Sequence, residues 1–111
     1  MNDRDDIARK IRAGNFVANT GRVLRAINVL RTKYNKLTGI QYALTEMEED
    51  EFLDAVNYLH EEGYVHLRDI ETEAPAVTGL ADKDHRELEA KLTSKGIRLL
   101  AGGISDPMVR V

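Results

Sequence analysis

The chain has 111 residues, 42% of them hydrophobic and 32% charged, with a formal net charge of −3 and no cysteine. That length suits one domain with one modest core. Without thiols, disulfides, thiolate chemistry and cysteine zinc sites are excluded, and no apolar run resembles a signal peptide or spans a bilayer, so an intracellular, cytoplasmic protein is expected.

The charge is segregated along the chain. Residues 1–36 carry +6, residues 37–67 carry −8 with no Lys or Arg, and residues 68–111 carry −1. Such asymmetry suits two faces for two partners, or charge balance across packed helices.

Residues 3–13 suit a short helix. Asp3, Asp5 and Asp6 stand at its positive end and Gly14 is a stop. Its apolar face is thin (Ile7, Ala8 and Ile11), so residues 1–19 read as an arm needing the domain, a second copy or nucleic acid to dock on. Residues 21–34 make a stronger helix, with Val23, Leu24, Ile27, Leu30 and Tyr34 at helical spacing and Asn19 or Thr20 as cap. After the turn at Leu37-Thr38-Gly39, residues 40–44 suit a short helix facing Ile40, Ala43 and Leu44 inward.

Thr45-x-x-Glu48 matches a capping box and opens a third helix. Phe52, Ala55, Val56 and Leu59 form its buried stripe, beside Leu53, and Gly63 ends it. Tyr64–Leu67 reads as a strand, residues 68–86 as a long loop, and Glu87–Leu92 as a strand that alternates strictly, with Leu88, Ala90 and Leu92 inward. Thr93 or Ser94 caps a last short helix that Gly102-Gly103 stops, and residues 102–111 form a tail that is apolar for a chain end.

Three phrases carry a resemblance. They are Val23-Leu24-Arg25-Ala26-Ile27, then Phe52 to Leu59 followed by Glu62-Gly63-Tyr64-Val65, and Leu92-Thr93-Ser94-Lys95-Gly96-Ile97-Arg98-Leu99-Leu100. In this order, residues 20–101 resemble the winged helix. The expected fold is α+β: a three-helix core, a two-stranded β-hairpin wing, an N-terminal helical arm and a short C-terminal helix. In size and ending, from Ile104 to Val109, the chain also resembles small winged-helix proteins encoded by Mu-like prophages.

The winged-helix resemblance implies double-stranded DNA binding, with the third helix in the major groove and the wing on the backbone. The acids of residues 46–62 oppose that, because affinity comes largely from phosphate neutralisation. In that mode Asn57, with His60, would read bases from the third helix, whereas a backbone-only mode without base reading would draw on Arg4, Arg9, Lys10, Arg12, Arg22 and Arg25 with Lys83, His85 and Arg86 of the wing. The alternative is a protein-interaction module that offers Glu48, Glu49 and Asp54 to a basic partner, with a homodimer as the default if the chain self-associates. No nucleophile motif or phosphate-cradling loop is present. His60 and His66 match no metal-ligand spacing, and clustered first-turn acids usually cap a helix. A non-enzyme without catalytic residues, metal or cofactor is therefore expected.

Overall fold

The computed structural model describes residues 3–111, with the side chains of Asp3 and Ala13 left aside. Among these residues it is an α+β fold of four α-helices and a three-stranded antiparallel sheet. The helices are α1 (Asp3–Ile27), α2 (Leu37–Ala43), α3 (Glu49–Glu61) and α4 (Ser94–Ala101). The strands are β1 (Asn35–Lys36), β2 (Val65–Asp69) and β3 (Leu88–Leu92), in the order β1-β3-β2.

The two helices expected at 3–13 and 21–34 are one helix of 25 residues. Gly14 does not stop it. A mid-helix glycine costs only about 1 kcal/mol, and a helix already nucleated by a packed half propagates through it. Asn19 and Thr20 are therefore interior and buried instead of caps. Asn19 donates to Glu51 Oε2 at 3.2 Å, and the Thr20 hydroxyl faces the carbonyls of Val17 and Met108 at 2.9 and 2.6 Å. The helix also ends earlier than Tyr34. A 3-10 turn at Asn28–Leu30 follows it, Arg31 turns the chain at φ 60°, and Asn35 donates its side-chain amide to the Ile27 carbonyl at 2.7 Å. That bond satisfies one of the open carbonyls at the helix end.

β1 has no counterpart among the expected elements. It pairs Asn35 with Ala90 and Lys36 with Glu89, so the β2–β3 hairpin is the larger part of a three-stranded sheet. α2 follows at once, burying Leu37 and Ile40, with Leu44 half-buried after it and Ala43 exposed. The capping box lies one turn beyond the expected one. The Glu48 amide donates to Glu51 Oε1 at 3.2 Å, while residues 44–47 form a turn closed by Met47 N–H on the Leu44 carbonyl. Thr45-x-x-Glu48 and Glu48-x-x-Glu51 have the same spacing. The second places Phe52 just inside the helix, where it is fully buried.

Phe52, Ala55, Val56 and Leu59 are buried as expected, as are Val65 and Leu67 of β2 and Leu88, Ala90 and Leu92 of β3. They meet Val23, Leu24 and Ile27 of α1, Leu37 and Leu99 in one core. Thr93 caps α4 by accepting from the Gly96 amide at 3.0 Å, and Gly102 ends it at φ +88°. On α4, Leu99 is buried and Ile97 is exposed.

The tail docks on α1. Arg110 N–H donates to the Val17 carbonyl, and Arg25 Nη1 donates to the Arg110 carbonyl at 3.2 Å. At Gly21 a Cβ would run into that same carbonyl, so only glycine lets the strap lie this close. Asp106 holds the other side, accepting from the hydroxyls of Tyr58 and Tyr64 at 2.8 and 2.7 Å.

Candidate functional site

The two cations expected to contact phosphate from the loop between β2 and β3, Lys83 and Arg86, are each paired with a carboxylate. Lys83 Nζ lies 2.8 Å from Asp69 Oδ2, tying the loop back to the end of β2. Arg86 forks onto Asp84, with Nε and Nη2 at 2.9 and 2.7 Å. The Lys83 ammonium, helped by the amides of Thr72 and Glu71, holds the Asp69 carboxyl down at about 2. Arg86 holds Asp84 below the usual carboxylate range, first through its side chain and then through its amide. Each of these cations has its charge offset by the carboxylate beside it, so the pairs present little net positive charge to phosphate. His85 is buried against Gln41, 3.0 Å away, with Asp84 and Glu49 beside it.

α3 turns its acids outward. Glu49, Asp50, Asp54 and Glu61 are exposed, and Asn57 among them donates to Glu61 Oε1 at 3.4 Å. Glu48, Asp50, Glu51 and Asp54 face Arg12, Phe16 and Asn19 of α1 across a groove of about 520 Å³. Phe16 forms its apolar part and meets Tyr58 edge-on at 5.6 Å. The three expected protein-binding acids thus split: Glu48 and Asp54 line the groove, while Glu49 leans toward His85.

The N-terminal cations are spread along α1. Arg4, Arg9, Lys10 and Arg12 lie on its exposed amino half, and Arg22 and Arg25 on its carboxyl half. Arg22 lines a cleft of about 200 Å³ with residues 43–47, and Arg25 is engaged with the tail. Arg12 stands at the rim of the acidic groove, so the expected DNA-binding and protein-binding sets meet there.

Two clusters escaped the sequence. On the outer face of the sheet, the Arg68 guanidinium lies 3.7 Å from the Tyr34 ring centroid and 2.6 Å from Glu89, with Lys91 nearby. Alternation in β2 and β3 points Arg68 and Glu89 to one face, but only the register Arg68↔Glu89 joins them. The second is the tyrosine clamp on Asp106. Burial, then the bond to Asp106, pushes the Tyr64 hydroxyl up to about 12 and raises Tyr58 too.

His60 is half-buried against Gly79, and that burial lowers its pKa. Among the described residues, no three or more His, Asp or Glu converge as metal ligands, and no helix is long and apolar enough to cross a membrane. Comparison with protein-family models, curated proteins and solved structures finds no match to the chain.

Proposed function

We propose that this chain is a non-catalytic, cytoplasmic winged-helix protein acting as a protein-interaction module, with the groove between α1 and α3 receiving a basic partner. The helix order and the sheet order β1-β3-β2 support the winged-helix reading. The resemblance to Mu-like prophage proteins supports a phage-related setting. The observation that carries the proposal is the division of charge. The acids of α3 line an open groove, while the wing cations that DNA would need are paired with Asp69 and Asp84. A cation entering a groove with Phe16 at its side gains both charge complementarity and apolar contact.

A second reading is sequence-blind contact with double-stranded DNA through α1. The exposure of Arg4, Lys10, Arg12 and Arg22 along one helix favours it.

One titration separates the two. The full chain is mixed at low salt with a lysine- and arginine-rich helical peptide or with labelled duplex DNA. The peptide is expected to bind, and Asp50→Lys with Asp54→Lys to weaken it roughly tenfold or more. That variant leaves the Glu48–Glu51 cap in place, so circular dichroism should confirm its fold. Peptide binding that ignores the reversal overturns the module reading. Duplex binding lost on reversing Arg4, Lys10 and Arg12 establishes the second.

A further inference from the structure

Between Ile7 and Thr45 the sequence has no Asp or Glu. Within that stretch, Arg31-Thr32-Lys33-Tyr34-Asn35-Lys36 leads from the end of α1 into β1 and brings three cations and a tyrosine to the sheet. Strand register then assembles a surface around them. Lys36 stands opposite Glu89, and Glu89 opposite Arg68, so the three form one row across all three strands. His66 and Lys91 form the next row on the same side. Their neighbours Leu67, Ala90 and Leu92 point the other way, into the core. The two rows therefore lie on the solvent side of the sheet, with Lys36 and His66 exposed and Arg68, Glu89 and Lys91 half-buried.

Tyr34 belongs to this surface. Its ring centroid lies 3.7 Å from the Arg68 guanidinium carbon and 5.9 Å from Lys91 Nζ. Glu89 at 2.6 Å and Glu73 at 3.8 Å hold the guanidinium and offset its charge. Arg68 thus supplies a plane more than a charge, and 27% of its side chain is exposed. The charge comes from Lys33, Lys36 and Lys91, with Arg31 beside them. Among the described residues none of these four forms a salt bridge with a carboxylate, whereas Lys83 and Arg86 both do. Glu87, just before β3, lies toward Lys83 and Arg86 and bounds the basic surface at that end.

We propose that this side of the sheet binds single-stranded nucleic acid, with Lys33, Lys36 and Lys91 on phosphates and a base stacked on the Tyr34–Arg68 pair. A ring and a guanidinium plane among unpaired lysines match what a single strand offers, which is phosphate charge together with open base faces. In a duplex those faces are already stacked on one another, so only the lysines would gain. An acidic peptide would likewise satisfy the lysines and leave the planar pair unused. The surface shares no residue with the α1–α3 groove or with the cations along α1, and it stands whether or not either of those binds a partner.

The test is fluorescence anisotropy of the full chain with a labelled oligothymidylate of about 12 nucleotides, starting at low salt because the chain carries a net charge of −3. Binding is expected to weaken as salt rises, with a log–log slope of about −0.7 for each phosphate held. Lys33→Glu with Lys36→Glu changes two exposed side chains, so the fold should persist by circular dichroism. It should weaken binding at least tenfold and flatten the salt slope. Tyr34→Leu should weaken binding about threefold to tenfold and leave the slope unchanged, because it removes stacking and no charge. Tyr34→Phe should restore it. No binding at low salt overturns the proposal. So does binding that ignores the lysine reversal, or that is lost on reversing Arg4, Lys10 and Arg12. Duplex DNA or a polyglutamate peptide binding as tightly as the single strand also overturns it, since neither uses the planar pair.

Discussion

In its carboxyl half, α1 buries Val23, Leu24 and Ile27 completely and carries the tail across Gly21. In its amino half, the same helix leaves Ile7 and Ile11 more than half exposed. The backbone is continuous, yet the forces holding it differ. The carboxyl half is helical because its apolar stripe packs on α3 and the sheet. The amino half extends a helix already nucleated, and its own contribution to folding is small. One element thus divides into a part that makes the fold and a part left over for contact.

The sharpest way to break that contrast is to empty the packed half. Leu24→Ala removes a fully buried side chain from the centre of the core. The expected loss is about 3–4 kcal/mol, within the range for buried leucines. Urea unfolding followed by circular dichroism measures it. A loss below about 1 kcal/mol would mean that the carboxyl half is packed no better than the arm.

The tail tests whether the strap adds to the packed half. Asp106→Asn removes the charge that accepts from Tyr58 and Tyr64, at an expected cost of about 1–2 kcal/mol. Burial works against the Asp106 charge. The Met108 amide and the two tyrosine hydroxyls outweigh it and hold the carboxyl below its usual range. A depressed pKa adds stability that is complete above the unfolded value near 3.8 and lost as the pH falls through the folded one. The melting difference between the wild type and Asp106→Asn should therefore hold steady above about pH 5 and shrink below about pH 4. A difference that is flat down to about pH 2 would detach the clamp from that titration.

How much of this was legible followed the reach of each signal. The stripe of α3 and the alternation of β3 are local periodicities that burial obeys, and both stand where the sequence places them. The continuity of α1 was not legible, because Gly14 reads as a stop unless a packed half downstream carries the helix through it. β1 is two residues long, too short for any period, and exists only through its pairing with β3. At the candidate site, the acids of α3 are visible at once, but their groove depends on Phe16 and Arg12 of a helix whose pattern divides in two at Gly14. The pairing of Lys83 with Asp69 is a loop-to-strand contact without a sequence pattern. Hence Lys83 and Arg86, between β2 and β3, look freer in the sequence than they are in the fold.

The smallest expected effect lies at the arm, and its smallness is the point. Ile7→Ala deletes a side chain that is 58% exposed and faces away from the core. In dilute solution, urea unfolding should change by less than about 0.5 kcal/mol, as for surface positions generally. The change is expected to be slightly stabilising, since alanine is the better helix former. Leu24→Ala on the same helix should differ from it several-fold. If Ile7→Ala instead costs more than about 1 kcal/mol in dilute solution, the arm packs on its own domain and the division of α1 fails. If the cost appears only as concentration rises, Ile7 is covered in an associated state, because only such a state gains stability with concentration.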